Sequence, residues 1–196
     1  MKNDVSFHIN DELESKIYHT YIKYHKEHTY NYFVAVAKVA AKLAEKYRLD
    51  IKKCVIASLL HDISAIISAD MMYDQALKNG LVLDPAEEKY HFLLHQRISK
   101  LIAISEFKIE DEDIPSAIEC HTTLKKDASD YDKVVFLADK IAWEKEGKPP
   151  YIDIVLDALN RSLNQACYQF LKYQFDHHLL LMPHQRLLAA YEDLTE

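Results

Sequence analysis

Between Ile51 and Ser68 the chain runs almost unbroken through apolar residues, among them Val55, Ile56, Leu59, Leu60, Ile63, Ile66 and Ile67. A segment of that length and pattern reads as a central, buried helix. Beyond the lysines of its first turn, its ionisable residues are His61 and Asp62. An ionisable pair inside a buried helix costs on the order of several kcal/mol unless it is paired or metal-bound. Whatever this chain folds into must therefore place a partner beside that pair.

The rest of the chain predicts helices as well. With only 2 glycines in 196 residues, little room is left for β-turns, bulges or phosphate-cradling loops. Phe33, Val36, Ala37, Ala40, Leu43, Ala44 and Tyr47 trace one helical stripe over 29–47. Further helices are expected over 11–26, 70–79 (capped by Asn79-Gly80), 87–106 and 110–120 with Pro115 in its first turns. Ser129 with Asp132 resembles a capping box opening a helix over 130–146, which Gly147 and Pro149-Pro150 close. A long helix follows from about 152 to 181, and Pro183 opens a last one. No repeat, low-complexity tract or linker interrupts the series, so the expected class is all-α, in one domain. Residues 1–24 read as an N-terminal helical extension and 25–196 as the main domain.

The formal net charge of −7 argues against a broad grip on nucleic acid or an anionic membrane. An anionic substrate would need local cations, and bound metal is the obvious supply. Cys54, Cys120 and Cys167 are odd in number and lack CxxC spacing, which suits buried thiols in a reducing compartment. With no stretch approaching 18 apolar residues and no signal-like start, a cytoplasmic protein is expected.

His28, His61, Asp62, His95, His121 and Asp139 form an ordered series of groups able to bind a hard or borderline cation. Four of them, His28, His61, Asp62 and Asp139, make one mononuclear set; His95 and His121 could carry a second ion. Asp139 lies four residues after Val135 and three before Ala142, so it points with the buried stripe of its helix. A salt bridge to an inward Lys or Arg is its bland alternative. His91 and His95, four apart, could chelate as a pair, but position 92 is Phe, so the HExxH pattern is absent.

The whole pattern resembles the HD-domain metal-dependent phosphohydrolases, and within them the YqeK-type symmetrical bis(5′-nucleosyl)-tetraphosphatases. The resemblance spans roughly residues 25–195. It rests on His28-Thr29, the run ASLLHDI from Ala57 to Ile63, Leu93-Leu94-His95, Cys120-His121-Thr122-Thr123, and VVFLADKI from Val134 to Ile141, with the closing Pro183-His184 segment similar in kind. It implies a compact helical HD domain, often dimeric. In the family, six residues matching His28, His61, Asp62, His95, His121 and Asp139 hold a dinuclear centre, typically iron, with Mn, Ni, Zn or Mg also compatible with such ligands. His61 and Asp62 are then the catalytic pair, and a hydroxide activated by two metals would cleave a dinucleotide polyphosphate, diadenosine tetraphosphate giving two ADP. Thr122, Lys125 and Lys140 are the candidate substrate contacts. Other readings are a phosphohydrolase of another nucleotide or phosphate ester, and a weakly catalytic nucleotide-binding regulator.

The chain also departs from its relatives. His25 stands where they usually carry Arg, Ala65 where they carry Lys, and Gln96 where Gly commonly follows the third His. Leu124 to Asp127 replaces a Gly-Arg-Pro-Gly stretch.

Overall fold

The computed structural model describes residues 10–143 and 147–195. Residues 1–9 of the expected N-terminal extension, and the 144–146 end of the helix expected over 130–146, lie outside the described residues. Among the described residues there is no strand. The helices are α1 (Asp11–Lys23), α2 (Glu27–Tyr47), α3 (Ile51–Leu60), α4 (Ala69–Lys78), α5 (Pro85–Lys89), α6 (His95–Phe107), α7 (Asp113–Cys120), α8 (Asp130–Ile141), α9 (Ile152–Ala158), α10 (Leu163–Asp176) and α11 (Gln185–Asp193). Two 3-10 turns, Ile63–Ile66 and His91–Leu94, precede α4 and α6.

α2 is the spine. Its stripe of Phe33, Val36, Ala37, Ala40, Leu43 and Ala44 is buried, as the spacing predicts. α3 and α8 pack against it, and α7 packs against α3, α6 and α8. One core lies where α2 meets α8, α9, α10 and α11, with Phe136, Leu137, Phe170 and Leu171 fully or almost fully buried. A second core lies where α1, α2, α3 and α7 meet, and takes Ile17 and Tyr21 of α1 with Phe33, Leu59 and Leu60. The Tyr21 hydroxyl donates to the Leu59 carbonyl (3.1 Å), so α1 is bonded to the helix that leads into His61.

Several expected helices are shorter than the sequence suggests: the one expected over 11–26 ends at Lys23, and the one expected over 130–146 ends at Ile141, where Ala142 leaves the helical path at ψ 61°. The central segment 51–68 stops at Leu60: His61 is the C-cap, and Asp62 leaves the helical path at φ −123° before the 3-10 turn begins. The expectation that Asp62 lies mid-helix is thus corrected. The segment 87–106 is cut at Tyr90 (ψ 81°), because Asp84 and Glu87 form a capping box that opens the short α5 earlier, with Pro85 at its start. The segment 152–181 is two helices. Ser162 caps α10 by accepting from the Gln165 amide, while the Leu159 carbonyl just before it accepts from Lys46 Nζ and Tyr47 Oη of α2, each at 2.7 Å. The Ser129–Asp132 capping box opens α8 as expected.

Among the described residues no single helix is long and apolar enough to cross a membrane. α3 with its 3-10 turn and α4 would pass that test only jointly, and the pair is bent by 104°.

Candidate metal centre

Three of the expected histidines stand at the ends of helical turns. His61 is the C-cap of α3, His121 the C-cap of α7, and His95 ends the 3-10 turn that leads into α6. The last carbonyls of a helix have no partner within it. Here each imidazole supplies one: Nδ1 of His61 lies 2.6 Å from the Ser58 carbonyl, Nδ1 of His95 2.7 Å from that of Phe92, and Nδ1 of His121 2.9 Å from that of Ile118. A carbonyl only accepts, so each Nδ1 carries the proton and, in the neutral ring, each Nε2 presents a lone pair.

Those lone pairs converge. Nε2 of His95 lies 3.1 Å from Nε2 of His121. Asp62 Oδ1 lies 3.8 Å from the former and 4.0 Å from the latter. His61 Nε2 faces Asp139 Oδ1 at 3.5 Å. The ligand atoms of His61, Asp62 and His121 all lie within 4.8 Å of one another. The His61 ring packs edge-on to Phe33, with centroids 4.6 Å apart, and to His121 at 4.7 Å. His61 and His121 are buried, whereas about a third of the Asp62 side chain stays exposed, so Asp62 marks the open side.

Asp139 projects from α8 toward His61, on the buried stripe where the sequence puts it. The Tyr32 hydroxyl of α2 donates to Asp139 Oδ1 (2.9 Å) and to its carbonyl (3.0 Å). Lys140 Nζ reaches Asp139 Oδ2 (2.6 Å) and the His121 carbonyl (3.0 Å), and lies over the rings of Phe136 and Phe170. Burial opposes ionisation of Asp139, but Lys140, His61 and His121 outweigh it and hold the carboxyl well below the usual range. Burial likewise opposes charging of His61, yet the Asp139 bond and the charges of Asp139 and Asp62 raise its pKa. For His121, burial and the neighbouring His61 and His95 push the pKa well down, which keeps the ring neutral.

This arrangement fits a divalent cation. The Thr122 hydroxyl, 2.8 Å from His95 Nε2, can donate to that lone pair. The His121 lone pair then faces only other acceptors among these neighbours, and a cation resolves that repulsion. With metal–nitrogen bonds of about 2.1 Å, two imidazoles at right angles on one ion have nitrogens about 3.0 Å apart. The observed 3.1 Å suits two ligands on one ion. The carbonyl ends of α3 and α7 also point here, and their dipoles favour positive charge.

The other expected residues divide. Thr122 and Lys140 belong to this centre. His28 is exposed on the first turn of α2, one turn before Tyr32 and so on the same helix face, but outside the tight group of His61, Asp62 and His121. Lys125 faces elsewhere, bonding Ser116 Oγ (2.5 Å) and the buried Asp132 (3.1 Å). His91 stacks on Tyr73 with centroids 4.0 Å apart and lies 3.8 Å from the exposed Asp70. One residue at the site, Tyr32, escaped the sequence reading, and another, Gln96, was flagged only as a departure from the family pattern. Tyr32 sits on the helix face of His28, which could have flagged it. Gln96 is a buried polar residue with no warning beyond its position after His95.

Comparison with known proteins agrees with this geometry. A family model described as "HD domain" matches residues 29–144. An uncharacterized protein encoded in the pepC 5′ region of Lactococcus lactis subsp. cremoris is 37% identical over 139 residues, 71% of each chain. A Staphylococcus aureus protein named "Bis(5′-nucleosyl)-tetraphosphatase, symmetrical" is 33% identical over 152 residues, 74% of this chain and 75% of that one. The crystal structure of a "predicted HD superfamily hydrolase involved in NAD metabolism" from Clostridium acetobutylicum superposes with a TM-score of 0.82 at 26% identity, covering 93% of this chain and 96% of that one. With its helices, its paired His61-Asp62 and its match over more than half its length, this chain belongs to the HD-domain family and is a metal-dependent hydrolase.

Proposed function

We propose that this protein hydrolyses dinucleotide polyphosphates, cleaving diadenosine tetraphosphate symmetrically into two ADP at a dinuclear centre held by His28, His61, Asp62, His95, His121 and Asp139. The observation that supports it most is the convergence of the imidazole nitrogens of His95 and His121 beside Asp62, with His61 and Asp139 adjoining. The substrate class is taken from relatives named for symmetrical cleavage at 31–33% identity. Iron is the proposed metal, with Mn, Ni, Zn and Mg as substitutes, and the active species a cytoplasmic homodimer.

When bound, divalent metal would supply Lewis-acid charge to the phosphoryl oxygens and lower the pKa of water to about 7. The chain supplies the rest. His61, His95 and His121 have their rings oriented by their carbonyl bonds, which put the proton on Nδ1 of the neutral ring and leave Nε2 to face a cation. Asp62, on the open side, faces the substrate and joins the two halves of the donor set. Lys140, whose Nζ lies beside Asp139 Oδ2 and the His121 carbonyl, would offer a cation to a phosphate oxygen at this centre. The Thr122 hydroxyl offers a second donor to the same phosphate. Addition of one water across the central phosphoanhydride then yields two nucleoside diphosphates.

Product analysis by ion-exchange chromatography tests the reading. Iron(II)- or manganese(II)-loaded protein given diadenosine tetraphosphate should accumulate ADP alone, and His61→Ala should release none. AMP with ATP would contradict symmetrical cleavage. No product from protein shown to hold metal would move the substrate to another nucleotide, with Gln96, Ala65 and Leu124 to Asp127 as the altered determinants.

A further inference from the structure

Gln96 is completely buried, yet it is a polar side chain lying directly after His95. Its Oε1 accepts from the backbone amides of Thr122 (3.2 Å) and Thr123 (3.3 Å), the two residues after His121. Its Nε2 donates to Thr123 Oγ1 (3.2 Å), which in turn donates to the Leu124 carbonyl (2.9 Å). Two amides facing one oxygen fix which end of the carboxamide is which. The turn it grips is strained: Leu124, fully buried, has φ 58°, in the left-handed region that a branched-chain residue enters only when its surroundings force it. A buried polar group is costly unless fully paired, and if only packing mattered an apolar residue would serve.

We propose that Gln96 is a positioning residue that locks His121 against His95, so that the two imidazoles meet a single ion as a preset pair. This rests on the reading of the site as a metal centre. The same turn of α6 also holds the segment after Asp62: Ser99 Oγ donates to Ser64 Oγ (3.0 Å) and accepts from the Ser64 amide (3.1 Å), and Ser64 Oγ donates to the His95 carbonyl (3.0 Å). Residues 95–99 are thus the hub through which the segments bearing Asp62, His95 and His121 keep their spacing. Gln96 is the leg that reaches Thr122 and Thr123, the two residues directly after His121. Its side chain braces the Leu124-containing turn from the helix that begins at His95.

Cobalt(II) titration of the whole protein, read by visible absorption and calorimetry, tests the role. Gln96→Met keeps the bulk and removes every hydrogen bond; it should weaken the ion shared by His95 and His121 by about 10–100-fold and shift its visible bands, leaving the other ion within about threefold. Gln96→Glu keeps the oxygen facing the two amides and should restore affinity and bands. If Gln96→Met fails to fold, Thr123→Val removes the side-chain leg alone and should weaken the same ion by about 3–10-fold. Unchanged affinity and bands, equal weakening of both ions, or no rescue by Gln96→Glu would overturn the proposal. Wild-type protein that takes up no cobalt would instead overturn the metal centre itself.

Discussion

His61, His95 and His121 each commit Nδ1 to the carbonyl three residues back, and this ties local folding to chemistry. A residue that caps its own helical turn cannot rotate freely, so its Nε2 is aimed before any ligand arrives. Tyr32 does the equivalent for Asp139. Tyr32→Phe should leave the fold intact, lower stability by about 1 kcal/mol and cut metal affinity about 10–100-fold, measured by calorimetric titration with manganese(II); unchanged affinity would make the hydroxyl incidental. His91 gives the opposite case. Stacked on Tyr73 and facing Asp70, it should keep metal content within about 20% of wild type as His91→Ala, whereas His95→Ala loses one ion by elemental analysis, as expected for a removed ligand. The inward aim of Asp139 was legible because helical periodicity alone decides it. Gln96 and Tyr32 were not, because their partners lie 26–27 and 107 residues away and no local pattern announces them.

At the scale of elements, boundaries depend on side chains that periodicity does not weigh. The apolar run through His61 predicts a continuous helix, but an imidazole able to cap the Ser58 carbonyl ends it at Leu60. The break at Leu159 to Ser162 needs no glycine or proline, because Lys46 and Tyr47 of α2 take the Leu159 carbonyl. α11 is fastened from outside by a buried polar cluster. His184 Nδ1, which caps α11 by accepting from the Arg186 amide, lies 3.5 Å from Asp84, and its Nε2 lies 3.5 Å from Glu87. Glu87 is also paired with Arg97 at 2.7 Å. Burial would raise the Glu87 pKa, but the His184 bond, the Asp84 amide and the Arg97 charge lower it. A carboxylate depressed in the folded state contributes stability above its unfolded pKa of about 4.3 and loses it as pH falls through the lower folded value. Glu87→Gln should therefore cost about 3 kcal/mol at pH 7 and flatten the fall of Tm below pH 4.5 in a calorimetric pH series. A parallel shift of the whole Tm curve would place the acid sensitivity elsewhere.

For the molecule as a whole, the centre lies where α3, α6, α7 and α8 meet, with α2 behind it, so ligands far apart in sequence depend on one another through packing. Metal that binds only the folded form stabilises it by mass action, by about 4 kcal/mol at a concentration a thousand times Kd. Chelation should accordingly lower Tm by roughly 8–16 °C for a domain of this size, and returning iron(II) or manganese(II) should reverse it; a Tm indifferent to chelation would mean the fold does not couple to metal. The all-α class was readable from scarce glycine and repeated helical stripes, since both are properties of the chain itself. Where Lys125 points was not, because its partner Asp132 comes from the next helix and no local pattern announces the pairing.

The most direct measurement of the central claim is anomalous diffraction from crystals of manganese(II)-loaded protein, collected at the manganese edge. The account predicts a peak within about 2.3 Å of the Nε2 atoms of His95 and His121 and of an Asp62 oxygen, with a second beside His61 and Asp139. Manganese ordered elsewhere, with these three histidines bound to none, would contradict it.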